Sequence, residues 1–222
     1  MQFVLLHSPL VGPTTWRWVA GALLAAGHDV AVPDVRNAAV VGHPEAVIAS
    51  AVAAVPRGWS APVLVGHSGA GSILPSVGER LGGNRRKLVF VDAGLPPCEG
   101  RVTPAADFLD QLRTLAVDGV LPRWSTWWDE GVMQVLVPCA ERRVELESEM
   151  VEVPLAFFES SFQAPEKWCE TPGSFLLLSE SYLADAERAR TLGWSTVERL
   201  GGHLDIVNDP DGIARTILEL TS

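Results

Sequence analysis

Val63-Leu64-Val65-Gly66-His67-Ser68-Gly69-Ala70-Gly71-Ser72 is the stretch on which the reading of this chain turns. The apolar run Pro62 to Val65 has the length and composition of a buried strand. After Ser68 the residues Ile73, Leu74 and Val77 fall on one face of a helix. A strand that passes straight into a helix through Gly66, Gly69, Ala70 and Gly71 bends so tightly that only small side chains leave room for the backbone. Ser68 then sits at the exposed, strained apex, which is where a nucleophile is presented. The pattern for such a turn is Gly-x-Ser-x-Gly. Here Ala70 takes the fifth position and Gly71 follows it, a conservative departure because alanine is also small. The competing readings are a turn that only packs and a turn that binds phosphate. A Walker loop requires a lysine after its last glycine, and none is present. A dinucleotide loop requires Gly-x-Gly-x-x-Gly, and Leu74 stands where its last glycine belongs.

The chain has 222 residues, a length compatible with one α/β domain, and 47% of them are apolar, enough for a sizeable core. Its net charge of -10 argues against non-specific nucleic-acid binding. Cys98, Cys139 and Cys169 are an odd, scattered three, which predicts neither a disulfide framework nor a metal site and points to a reducing cytoplasm. Met1 to Leu6 has no basic flank and is too short for a signal peptide or a membrane span. Strands are expected over Phe3 to His7, Asp29 to Pro33, Pro62 to Val65, Lys87 to Val91, Ser174 to Leu178 and Ser195 to Leu200. Helices are expected over Thr14 to Ala26, His43 to Val55, Leu183 to Thr191 and Pro210 to Leu220. In the first helix Trp16, Val19, Ala20, Leu23 and Leu24 read as inward, with Gly27 as its cap. This alternation predicts a mostly parallel sheet of about six strands with helices on both faces.

The alternation breaks between Pro96 and Lys167, where Trp124, Trp127, Trp128, Phe157, Phe158 and Phe162 gather and charges crowd Glu141 to Glu152. The stretch, 96–167, reads as a helical insertion within one domain of 1–222. It lies over the C-terminal edge of the sheet, where open α/β sheets bind ligands. Aromatic packing in a surface hairpin is the plainer reading. Trp128 is the residue of this insertion expected to touch substrate.

A serine hydroxyl needs a base within reach. His203, in Leu200-Gly201-Gly202-His203-Leu204-Asp205, follows the last strand on a flexible loop and comes after the serine and the acid in chain order. The acid has two candidates. Asp92 ends the strand next to that of Ser68, directly after Val89-Phe90-Val91; Glu180 follows the later strand Leu176-Leu177-Leu178. Asp92 is the preferred one, its rival role being to cap the local turn. The backbone N–H of Gly69 is one expected oxyanion donor. The second should come from His7-Ser8-Pro9-Leu10, but Pro9 has no N–H. The donor therefore shifts to Leu10 or is replaced by the Ser8 hydroxyl. His7 and His67 read as structural.

Together, Leu5-Leu6-His7-Ser8-Pro9 with Trp16, the turn Gly66-His67-Ser68-Gly69-Ala70-Gly71, and Gly201-Gly202-His203 resemble the α/β-hydrolase superfamily over nearly the whole chain. They are most similar to short bacterial members in the broad group that holds plant methyl esterases and hydroxynitrile lyases. The resemblance implies the α/β-hydrolase fold without its first two strands, and a serine hydrolase acting on an ester-type bond of a small apolar or aromatic substrate. Ser68 would be the nucleophile, His203 the base and Asp92 the acid, working through an acyl-enzyme with no metal or cofactor. The same fold also hosts lyase-like acid–base chemistry and ligand receptors, and the Ser8-Pro9 pair keeps the former open. A small molecule is the expected partner, with neither nucleic acid nor membrane; a homodimer is admitted.

Overall fold

A computed structural model describes residues 1–82 and 87–222. Its centre is a six-stranded, all-parallel sheet. The strands are β1 (Gln2–Leu6), β2 (Asp29–Ala31), β3 (Val63–Ser68), β4 (Leu88–Ala93), β5 (Gly173–Leu177) and β6 (Ser195–Glu198), in the order β6-β5-β4-β3-β1-β2. The four inner strands are apolar at nearly every position because both faces are covered. Alternation then sorts their side chains. Leu6, Leu64, Phe90 and Leu177 enter one core, while Leu5, Val65, Val91 and Leu176 enter the other.

Helices α1 (Thr14–Ala25) and α5 (Pro210–Thr221) cover the face of Leu5 and Val65. Helices α2 (Pro44–Ala53), α3 (Leu74–Leu81) and α4 (Leu183–Thr191) cover the other. Trp16, Val19, Ala20 and Leu23 form the buried stripe of α1. Leu24, expected inward, is 54% exposed, since one residue past Leu23 the helix has turned about 100° away from the sheet. Strand β3 runs on to Ser68, past its expected end at Val65. A 3₁₀ turn, Gly69–Ile73, separates it from α3, and a short helix over Arg36–Val40 was not expected.

Between β4 and β5 the chain builds four helices, Ala106–Leu115, Val132–Leu136, Ala140–Ser148 and Ala156–Glu159. The insertion is not wholly helical. Arg101–Val102 pairs antiparallel with Phe162–Gln163, and Val120–Leu121 with Val153–Pro154. Two-residue strands are too short to leave a periodic signal. Val102, Phe157, Phe162 and Trp168 join one core and Met133, Val137, Leu146 and Met150 the other, so the insertion straddles the sheet. The Thr14 N–H donates to Glu149 Oε2 at 2.7 Å, placing a carboxylate of the insertion at the N-terminus of α1.

One cysteine expectation is corrected. Cys98 and Cys169 form a disulfide with a Cα separation of 5.5 Å, leaving Cys139 free and exposed. The partners lie 71 residues apart, a distance that carries no local pattern. They meet where the returning stem of the insertion runs beside the departing one, as the Trp168 Nε1–H bond to the Pro97 carbonyl at 2.8 Å also shows. Among the described residues no helix is long and apolar enough to cross a membrane.

Candidate active site

Ser68 has φ 56° and ψ -127°, a strained conformation for a residue with a side chain. Close packing holds it there. A Cβ on Gly71 would lie 2.3 Å from the Gly94 carbonyl oxygen, so this position excludes any side chain, while one on Gly66 would press on Leu74 at 3.2 Å. Ala70 is wholly buried in the core, which explains why alanine is accepted at the fifth position and Gly71 carries the close approach.

The partner strand is irregular at the same level. His67 pairs with Val91 and Ser68 with Ala93, so Asp92 is an extra residue, a bulge with φ 42°. Bulges re-aim side chains, and the aim of this one is specific. Asp92 is fully buried, and its Oδ1 accepts the N–H groups of Leu178 and Ser179, both at 2.8 Å. Its Oδ2 accepts Ser179 Oγ–H at 2.6 Å and His203 Nδ1–H at 2.6 Å. Burial opposes ionisation of Asp92, but the hydrogen bonds from His203, Ser179 and Leu178 outweigh it and hold the carboxyl below its ordinary range. Glu180 is exposed on the one-turn helix Glu180–Tyr182, and the carboxylate that meets His203 is that of Asp92. Asp185 is turned to another task, accepting the Leu95 N–H at 2.7 Å.

Because Nδ1 of His203 carries the proton donated to Asp92, its Nε2 has a free lone pair. The ring is stacked with His67 at 4.4 Å and with Tyr182 at 5.5 Å between centroids, and Trp124 lies at 6.4 Å. His67 also donates Nε2–H to the His203 carbonyl at 2.9 Å. Burial, reinforced by the positive charge that His203 carries whenever it is protonated, pushes the His67 pKa down to about 3, so this ring is neutral and acts as a fixed rest for His203.

Ser8 is buried opposite the turn. His7 Nε2 accepts the Val35 N–H at 3.3 Å, so His7 Nδ1–H donates to the Ser8 carbonyl at 2.8 Å. A Cβ on Gly69 would sit 3.0 Å from Ser8 Oγ, which places that hydroxyl beside the Gly69 backbone. The Leu10 N–H points to Ser8 Oγ at 3.4 Å rather than into open space. An oxygen that already accepts from Leu10 is left with its own proton to give.

No family model matches the chain, and no curated protein matches it by sequence. Solved structures do match it. An extracellular α/β-hydrolase from a Paenibacillus species superposes with a TM-score of 0.79 at 20% identity, over 100% of this chain and 99% of that one. Polyneuridine aldehyde esterase gives 0.75 at 16%, over 100% and 99%. Tomato methylketone synthase I in complex with 2-tridecanone gives 0.74 at 14%, over 99% and 96%. The chain has the α/β-hydrolase fold.

Within this α/β-hydrolase fold, Ser68, Asp92 and His203 come from the C-terminal ends of β3 and β4 and from the loop after β6. Ser8 and Gly69 flank Ser68. Trp128 is 38% exposed and meets the ring of Trp124 edge-on at 4.5 Å. Trp124 is thus the tryptophan nearer His203. Three contributors were not singled out from sequence: Trp124, Ser179 and Tyr182, whose Oη lies 3.3 Å from Ser68 Oγ. The available signal for Tyr182 was its being the chain's one tyrosine, placed just after β5.

Proposed function

We propose that the protein is a serine hydrolase that cleaves an ester-type bond of a small apolar or aromatic substrate. The observation that carries this reading is the 2.6 Å contact between the buried Asp92 and His203 Nδ1, set beside a strained serine turn. Asp92 fixes the imidazole tautomer and stabilises the imidazolium. Ser68 turns its hydroxyl to His203 Nε2, gives up its proton and attacks the acyl carbonyl. The oxyanion is held by the Gly69 N–H and the Ser8 hydroxyl. His203 then protonates the leaving oxygen, and water repeats the sequence on the acyl-enzyme. The insertion 96–167 acts as a cap, with Trp124 and Trp128 giving the substrate an apolar wall.

The test is a serine-directed fluorophosphonate followed by assay of short p-nitrophenyl esters. Labelling of Ser68 with ester turnover supports the hydrolase. The hydroxyl of Ser8, standing where a rigid amide is usual, favours one second reading, lyase-like acid–base chemistry. Methylketone synthase I is among the structurally similar proteins, so simple ester cleavage is not the only chemistry named there. Labelling without ester turnover selects that reading. Absence of labelling, with tight binding of apolar ligands, selects a receptor.

A further inference from the structure

The segment after β5 does two things at once. Ser179 secures the acid with two hydrogen bonds to Asp92, and one turn later Tyr182 lays its ring on His203 and its hydroxyl on Ser68. The two rings are nearly parallel, 16° apart, so the phenol shares the His203 side of the nucleophile. Ser8 and Gly69 occupy the oxyanion side. In acyl transfer the leaving group departs towards the histidine, because that residue must protonate it. A phenol on the same side lies where charge builds on the departing oxygen.

We infer that Tyr182 is a second leaving-group donor, its Oη–H hydrogen-bonding the departing oxygen while His203 transfers the proton. This rests on the hydrolase reading above. The Ser68 proton passes to His203 Nε2 as Oγ bonds to the acyl carbon, the C–O bond to the alcohol breaks to leave the acyl group on Ser68, and that proton goes from Nε2 to the alcohol oxygen. Tyr182 keeps its own proton throughout. Burial pushes its pKa up to about 12, so at neutral pH the phenol is a donor and never a base. A neutral donor helps most where the departing oxygen is most basic. The site is therefore suited to esters of ordinary aliphatic alcohols, whose alkoxides leave poorly, and the phenol is nearly redundant for activated phenolic esters.

The experiment compares kcat/KM, which reports acylation, for p-nitrophenyl, phenyl, trifluoroethyl and methyl esters of one acid. It uses the unaltered enzyme and Tyr182→Phe. The expected result is a loss of about tenfold for the methyl ester, shrinking to within about twofold for the p-nitrophenyl ester. Since the chain has a single tyrosine, global incorporation of 3-fluorotyrosine alters this phenol alone. That enzyme retains a donor and should keep its methyl-ester rate. Equal losses across the series, no loss, or a 3-fluorotyrosine enzyme that behaves like Tyr182→Phe overturns the donor role while leaving the hydrolase reading intact. Absence of ester turnover in the unaltered enzyme removes both.

Discussion

At the scale of the residue, Asp92 is the position on which the site depends. It is buried, carries a positive φ and spends both oxygens on four hydrogen bonds, one of them to His203. Asp92→Asn keeps the shape but exchanges an acceptor for a donor facing His203, which favours the wrong tautomer. Ester kcat should fall about 10³–10⁴-fold, whereas Glu180→Gln should leave it unchanged; steady-state assays of the two variants check this. Gly71 makes a different prediction. An alanine there meets the Gly94 carbonyl, so Gly71→Ala should destabilise the fold by about 1–3 kcal/mol in urea unfolding. The placement of Ser68 at a tight turn and of His203 beside Asp92 was legible in the sequence because chemistry and spacing coincide, as in Gly-x-Ser and Gly-Gly-His. Tyr182 was not, since an isolated tyrosine in a polar turn has no pattern, and its role exists only once β5 and β3 are brought together.

At the scale of the element, the main strands and helices follow from apolar runs and capping residues, and their bounds differ from expectation by a few residues at most. The insertion was harder to read. Its ribbons are two residues long, and its closing bond joins cysteines with no local spacing. The disulfide ties the stems of the insertion at the level of β4 and β5. Closing a loop of this length restricts the unfolded chain by about 4 kcal/mol. Reduction, or Cys98→Ser with Cys169→Ser, should therefore lower Tm by about 8–15 °C in calorimetry. Thiol titration of the native protein should find one reactive thiol, Cys139, and three after reduction and unfolding.

At the scale of the whole molecule, two buried neutral histidines couple folding to pH. His7 and His67 are both held below their ordinary value of 6.5, chiefly by burial. The folded state resists protonating them and the unfolded state does not. Their contribution is therefore complete above about pH 6.5 and is lost as pH falls towards their folded values. Each histidine should steepen the loss by about 1.4 kcal/mol per pH unit within that window. Urea midpoints at pH 7.5, 6.5 and 5.5 check this, and His67→Gln should flatten the slope. Asp92, held below the ordinary carboxylate range, adds a further loss only at much lower pH, as it falls through its folded value. The parallel sheet and its two helical layers were legible from composition and alternation alone, because strands buried on both faces admit little but apolar residues. The meeting of Asp92, His203 and Tyr182 at one sheet edge depends on strand order, which no local pattern encodes.

The proposed chemistry stands or falls on acylation of Ser68 during turnover. The direct measurement is mass spectrometry of enzyme quenched with acid while hydrolysing p-nitrophenyl acetate. An acetyl adduct on the peptide holding Ser68, absent from Ser68→Ala together with the activity, is the predicted result. Ester turnover with no adduct, or a Ser68→Ala enzyme that still turns over, would rule out Ser68 as the nucleophile.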